Sequence, residues 1–253
     1  RKPTKAPKPK KARLCAIPRE QLRIDDLSRQ IESEGVELPL AQLGADSWQL
    51  EPAGVRSLML KLAQRGVPLR EIVGRSALYG LKTGFNEAFY IDNATKNAIV
   101  ASDPRSADVI RRYLRGQDLR RWFPEWSGLW AIVLKSSNDW SWPWTGNGDA
   151  EAVFAATYPG VYQHLKPLED KLRARSDQGL NWWELRSCAY YSAIEVPKVC
   201  IQRIAFHPRV AIDQSGIYVN DATIFLPTVD PWVVACLNSP AMWYYAFRTF
   251  PHK

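Results

Sequence analysis

The sequence predicts a mixed α/β (α+β) fold, with a twisted, mostly antiparallel sheet core flanked by helices. Three observations predict it. Short apolar runs at Leu129 to Leu134, Lys198 to Arg203, Arg209 to Asp213 and Ile217 to Leu226 are rich in β-branched and aromatic residues and bounded by turn residues, which reads as strands. Segments with apolar residues at helical spacing, Pro52 to Arg65 and Pro231 to Phe247 among them, lie around these runs. Hydrophobic residues make up 46% of the 253-residue chain, enough for a buried core.

Taken in order, residues 1 to 13 are Lys/Pro-rich, offer almost nothing apolar to bury, and are expected to be a disordered tail or linker. The chain does not open on Met and reads as a piece of a longer protein. Residues 14 to 42 start strand-like and continue into a helix around Leu22 to Ser33, a connector. Residues 43 to 253 form the main domain. There, Pro52 suits a first helical turn, and Val55, Leu58, Met59 and Leu62 recur at helical spacing. Gly66 is placed to stop that helix. Gly80 and Gly84 permit a tight, hairpin-like turn before the strand-like Phe89-Tyr90-Ile91.

Further on, Ser106 to Leu114 reads as a helix capped by Ser106, with Val109, Ile110 and Tyr113 as its apolar stripe and Gly116 as its end. Trp140 to Asp149 carries three tryptophans within turn chemistry and reads as an irregular loop. Tyr158 to Ser176 reads as a basic helix interrupted by Pro167. Asp213-Gln214-Ser215-Gly216 reads as a hairpin turn between the last two strands.

Charge is unevenly placed. The formal net charge is +8, but seven cations and no acid stand in the first 13 residues, and without them 27 basic face 26 acidic residues. Global charge is therefore weak evidence for a polyanionic partner, and local clustering has to carry the case. No apolar run approaches the roughly 20 residues of a membrane span and no signal segment opens the chain, so a soluble, cytoplasmic protein is expected. The cysteines at 15, 188, 200 and 236 form no C-x-x-C pair and the histidines at 164, 207 and 252 are scattered, which argues against a structural metal.

Three clusters are candidates for binding. Lys82, Thr83 and Asn86 supply donors beside two glycines, of the kind that hold phosphate oxygens and base edges; an ordinary polar turn is the alternative. Arg111, Arg112, Arg115, Arg120 and Arg121, with Arg105, face only Asp108 and Asp118 between residues 105 and 121, the strongest local positive excess in the body. Arg111 and Arg115, four apart on the expected helix, would share a face. Arginine can grip a phosphate or a guanine edge with two parallel hydrogen bonds, and a solvated face with internal Arg–Asp pairs is the alternative. The third cluster is Trp182-Trp183-Glu184-Leu185-Arg186. Neighbouring aromatics on a strand point to opposite faces, so one tryptophan is expected in the core and the other, taken as Trp183, free to stack. Arg186 and Glu184 could reach bases or pair with each other, and Arg203, Arg209 and Asn220 on the later strands are weaker candidates.

Enzymatic chemistry is hard to place. No Pro-Pro pair occurs, so the segment by which amino-methyltransferases hold the target amino group is missing, as is a Gly-rich loop after an early strand. Neither Glu195-Val196-Pro197-Lys198 nor Glu169-Asp170-Lys171 has the acid-x-Lys spacing of metal-dependent nucleases, and no Ser/His/Asp arrangement is legible. No catalytic residue or metal ligand is assigned.

Several segments, in order, resemble one family. Asp46-Ser47-Trp48-Gln49-Leu50 looks like its lead-in, followed by Tyr79 to Phe89. Tyr113-Leu114-Arg115-Gly116-Gln117-Asp118-Leu119-Arg120-Arg121-Trp122, Tyr158-Pro159-Gly160-Val161-Tyr162-Gln163-His164-Leu165-Lys166-Pro167, Trp182-Trp183-Glu184-Leu185-Arg186 and Leu237-Asn238-Ser239-Pro240-Ala241-Met242-Trp243 follow. Together they resemble the TaqI-like C-terminal specificity domain, the target-recognition part of adenine-specific DNA methyltransferases and of fused, Eco57I-like restriction-modification enzymes. The resemblance implies sequence-specific recognition of double-stranded DNA, with a methyltransferase domain in cis that binds S-adenosylmethionine and lies elsewhere on the parent. No cofactor is expected on this chain. The alternatives are a metal-dependent endonuclease with a degenerate site, a protein-interaction module that docks the catalytic domain, and a binder of single strands or RNA.

Overall fold

The computed structural model describes residues 10–15, 17, 23–40 and 53–250. These fall into two compact units, Arg1–Val67 and Pro68–Lys253. The lead-in segment at 46–50 lies outside the described residues.

In the first unit, β1 (Lys11–Leu14) pairs antiparallel with β2 (Val36–Pro39), Lys11 opposite Pro39 and Leu14 opposite Val36. The expected tail therefore ends in a strand. Lys11 Nζ reaches Glu37 Oε2 at 2.9 Å and Arg13 Nη2 donates to the Glu32 carbonyl at 3.0 Å, giving these cations partners a free tail would lack. Between the strands, α1 (Leu27–Glu34) is capped by Asp26, whose carboxylate accepts from Arg29 N at 3.0 Å. Helix α2 (Ala53–Arg65) ends at Gly66, whose N–H bonds the Leu62 carbonyl at 2.8 Å, as the sequence predicts.

The second unit is the mixed α/β body the sequence predicts, built on two four-stranded sheets; it opens with the short helix α3 (Leu69–Val73), and another, α9 (Tyr191–Ile194), precedes β7. In the first sheet, β3 (Leu78–Tyr79), β10 (Thr223–Leu226), β7 (Lys198–Gln202) and β8 (Val210–Asp213) lie side by side, all antiparallel. In the second, β4 (Tyr90–Ile91), β6 (Trp130–Ile132) and β5 (Ile110–Leu114) are antiparallel, while β9 (Tyr218–Val219) joins β5 in parallel.

Three expectations are corrected here. Residues 106 to 114 are not one helix: a 3₁₀ segment, Pro104–Val109, gives way to β5, because Ile110, Tyr113 and Leu114 bury against both neighbouring strands. Asp213 to Gly216 is not a hairpin turn. It carries the chain from β8 in one sheet to β9 in the other, and β8 takes its hairpin partner from β7. The turn between Gly80 and Gly84 leads into a short helix, α4 (Asn86–Phe89), so the strand keeps only Tyr90 and Ile91.

Pro167 breaks the basic helix as expected, into α7 (Pro159–Leu165), a 3₁₀ turn and α8 (Glu169–Ala174). The last helix is likewise split, into α10 (Pro231–Leu237) and α11 (Pro240–Thr249). At the break, buried Asn238 brackets Val210 of β8: Val210 N donates to Oδ1 at 3.3 Å and Nδ2 donates to the Val210 carbonyl at 2.8 Å. Helices α5 (Asn93–Ser102) and α6 (Ala150–Thr157) were not anticipated. Asp92 and Asp149 cap them, accepting from Thr95 N at 2.7 Å and Ala152 N at 3.4 Å.

The main core is aromatic. Trp183 stacks on Phe154 at 4.9 Å and meets Trp144 and Trp182 edge-on at 6.3 Å and 5.3 Å. Trp142, from the expected Trp-rich loop, stacks on Trp144 at 4.9 Å. The buried Glu184 carboxylate accepts from Trp144 Nε1 at 2.8 Å, Asn181 Nδ2 at 2.8 Å, the N–H groups of Ser137, Leu180 and Asn181 at 3.0, 2.9 and 3.2 Å, and the Ser137 hydroxyl. That set of donors is what lets a carboxylate stand in an apolar core. Fully buried Lys198 is paired with Asp213 at 2.7 Å.

All four cysteines are free thiols, and burial pushes Cys200 up to about 12. Among the described residues no group of His, Cys, Asp and Glu is placed to hold a metal, and no helix is long and apolar enough to cross a membrane.

Candidate nucleic-acid interface

The turn Asn220-Asp221-Ala222, between β9 and β10, is contacted by three backbone segments that carry sequence-nominated cations. Leu81 bridges Asn220 in parallel, which brings the Lys82-Thr83-Gly84 turn alongside. On another side, Asn220 N donates to the Leu114 carbonyl at 3.1 Å and Asn220 Oδ1 accepts from Gly116 N at 3.1 Å, which brings in Arg115. From β7, Arg203 N donates to the Ala222 carbonyl and its Nη1 to the Asp221 carbonyl, both at 3.0 Å. Gly80 shows how close this packing is: a Cβ there would lie 2.1 Å from the Asn220 carbonyl oxygen, so only glycine fits.

Each cation is held by neighbours and half-exposed. Lys82 Nζ contacts Asp177 Oδ2 at 2.8 Å, and Arg186 reaches the other oxygen of the same carboxylate at 4.0 Å. Arg115 forks onto Asp118, Nε to Oδ2 at 3.1 Å and Nη2 to Oδ1 at 2.9 Å. Burial pushes the Asp118 carboxyl up, but hydrogen bonds from the Arg115 side chain and backbone outweigh it and hold the group below the ordinary carboxylate range. The Arg203 guanidinium lies 5.1 Å from the Tyr79 ring. The expected alternative of internal Arg–Asp pairing is thus real for Arg115, yet the side chains of Lys82, Arg115 and Arg186 remain 49%, 42% and 42% exposed. A partly exposed pair can exchange its carboxylate for a phosphate at little cost.

The remaining candidates divide. Arg120 pairs with Glu125 at 2.7 Å, and Arg121 donates to the Asn238 carbonyl and lies 5.5 Å from the Trp122 ring. Both sit beside β8, since Trp122 N donates to the Val210 carbonyl at 2.9 Å. Arg111 and Arg112 are consecutive on β5 and so point to opposite faces, and the helix face expected for Arg111 and Arg115 does not form because residues 110–114 are a strand. Arg112 covers Trp126 at 4.8 Å, and Arg111 turns back to the Ala107 carbonyl at 3.2 Å.

Two candidates are corrected by burial. Trp183 is 2% exposed and its ring is enclosed by aromatic neighbours, so it offers no face to a base; Trp182 is buried as well, because the segment is a turn and not a strand. Thr83 is 1% exposed and works inside the turn. Its hydroxyl donates to Asn86 Oδ1 at 2.7 Å and accepts from Phe85 N at 3.2 Å, so Thr83 and Asn86 brace one another before α4.

The residue that sequence reasoning missed is Arg175. It is buried, and burial lowers its pKa to about 10. Its guanidinium donates to the carbonyls of Thr83, Trp182 and Glu184, with the Thr83 and Trp182 bonds at 2.7 Å, and so fixes the Lys82 turn against the segment that carries Arg186. In the sequence it is one more cation at the end of a basic helix, and nothing in the spacing marks it as buried.

No family model matches the chain, and no curated protein matches it. Among solved structures, 22 chains are similar. One is the type IIL restriction-modification enzyme MmeI, solved in complex with DNA, at 16% identity and a TM-score of 0.49. The match covers 67% of this chain and 21% of MmeI, so this chain spans about a fifth of that enzyme's length. At that TM-score the likeness carries no argument about what this chain binds.

Proposed function

We propose that this chain recognises double-stranded DNA. The observation that carries the reading is that the backbone segments bearing Lys82, Arg115 and Arg203 all contact the Asn220–Ala222 turn. Each cation is fixed by a neighbour and half-open to solvent, the state of a side chain ready to take a phosphate oxygen or a base edge without a large ordering cost. Arg120, Arg121 and Arg186 extend the set. The role fits a target-recognition part of an adenine methyltransferase or a restriction-modification enzyme, in which a separate methyltransferase domain holds S-adenosylmethionine and turns the target base out of the stack. This chain would set where that occurs and would itself need no cofactor.

Fluorescence anisotropy of a labelled random-sequence duplex, titrated at several salt concentrations, tests the reading. Binding should weaken linearly in a double-logarithmic plot against salt. Absence of duplex binding by the folded protein at low salt, or a preference for single strands in competition, would refute it.

A further inference from the structure

The β7–β8 hairpin ends in the loop Arg203-Ile204-Ala205-Phe206-His207-Pro208-Arg209, which carries two arginines and a histidine and no acid. Its base is fixed. Gln202 N donates to the Arg209 carbonyl at 3.1 Å, Gln202 Nε2 donates to the Ile204 carbonyl at 2.8 Å, and Arg203 is tied to the Asn220–Ala222 turn. At the tip the apolar side chains stand in water: Ile204 is 84% and Phe206 86% exposed, the highest values of any large hydrophobic residue among those described. The Phe206 ring meets the His207 ring edge-on at 4.9 Å.

A second apolar projection stands beside the same strand. Trp122 and Phe123 are 51% and 58% exposed, directly after Arg120 and Arg121. Trp122 is bonded to β8 through Val210 and Ile212 and has a φ of +86°, the only positive φ at a non-glycine position among the described residues. A bulky residue held in the left-handed region is strained, and such strain persists where the surroundings impose it. Here the parallel bridge to Ala211 imposes it.

We infer that the Ile204–Phe206 tip is a wedge that enters the base stack of a bound duplex. The inference rests on the proposed DNA reading and adds to it a distortion of the DNA. Two-stranded ribbons can enter the major or the minor groove of a duplex. Apolar side chains pushed between base steps unstack them, and nearby cations hold the flanking phosphates. Arg203 and Arg209 flank the apolar pair in the sequence, and the absence of any acid in the loop favours a polyanion over a neutral protein surface.

Permanganate, which oxidises thymines that have lost their stacking, tests this on a randomised duplex pool. The full chain is compared with Phe206→Ala and Ile204→Ala, whose side chains touch too little protein to disturb folding, at concentrations giving equal bound fractions by anisotropy. Thymine reactivity in the bound fraction should rise several-fold with the unaltered chain and stay near the free-DNA level with either variant. Binding without a rise, or an equal rise with both variants, overturns the wedge and leaves the binding reading standing. No binding by the unaltered chain overturns both. Flotation with anionic phosphatidylserine vesicles that is lost in Phe206→Ala, with no unstacking of duplex, would assign the tip to a membrane and overturn the proposal.

Discussion

Arg175 Nη1 donates to the Thr83 carbonyl at 2.7 Å, across 92 residues of sequence. Through this bond a buried guanidinium holds the turn that presents Lys82, while its other nitrogens hold Trp182, Glu184 and, from Nε, the Leu172 carbonyl at 3.1 Å. Replacing it with Met should be strongly destabilising. Each buried acceptor left unpaired costs roughly 1–3 kcal/mol, and several are left at once. Lys at this position keeps the charge but not the fork, so it should rescue only part. Denaturant midpoints of the three proteins check this; equal midpoints would remove Arg175 from the scaffold.

Asp177 sits between two cations of the proposed interface, Lys82 and Arg186, and competes with phosphate for both. Asp177→Asn removes the negative charge beside Lys82 and Arg186 and should tighten duplex binding at low salt, with the gain fading as salt rises. Lys82→Ala and Arg115→Ala should weaken binding across sequences and reduce the salt slope by about 1 each if they touch phosphate. A base-reading role for Arg115 would instead show as relaxed sequence preference with little change of slope.

The Arg115–Asp118 pair predicts a pH dependence of stability. The folded pKa of Asp118 is depressed, so the pair's contribution is fully present above the unfolded value of about 3.9 and is lost as pH falls below that through the folded value. Asp118→Asn should lower stability at neutral pH and flatten the loss on acidification below roughly pH 4. Thermal melts of both proteins from neutral to acidic pH read this directly.

Trp183 should behave as core. Its Nε1 has no hydrogen-bond partner, so Trp183→Phe forfeits only packing, whereas Trp183→Ala should cost about 3–5 kcal/mol. Where both variants are folded, duplex affinity should match the unaltered chain. A selective loss of affinity in a fully folded Trp183→Phe protein would return the residue to the binding surface.

Lys198 and Asp213 form a fully buried pair, and removing one partner strands the other. Lys198→Met should cost about 3–5 kcal/mol in chemical denaturation. A Lys198→Met, Asp213→Leu double variant should recover little, because Asp213 also accepts from Ser215 N and Ile217 N, each at 2.8 Å, to form the turn into β9.

What was legible in the sequence follows from the range of the forces involved. Local signals carried α2 and its Gly66 stop, the Pro167 break and the strands at 130–132, 198–202 and 210–213, because caps, proline and alternation act within a few residues. The 106–114 segment is ambiguous in the sequence because Ile110, Tyr113 and Leu114 suit a helical stripe as well as a strand. Their partners, Ile132, Tyr218 and Val219, lie 22 or more residues away and decided the matter. Lys82, Arg115 and Arg203 were nominated by residue type, but the approach of their segments to the Asn220–Ala222 turn depends on that same distant pairing. Trp183 was misplaced because alternation along a strand was applied to a turn. The Ile204–Phe206 tip passed unnoticed, since short apolar runs read as core until their exposure is known.

The stretch from Ile217 to Leu226 belongs to both sheets: β9 lies against β5 and, after one turn, β10 lies against β7 and β3. The two sheets also share one core, Cys200 and Phe225 of the first packing in the same cluster as Ile132 and Tyr218 of the second, so neither can melt alone without exposing it. Residues 68–250 should lose structure in one all-or-none transition, with calorimetric and van't Hoff enthalpies that agree.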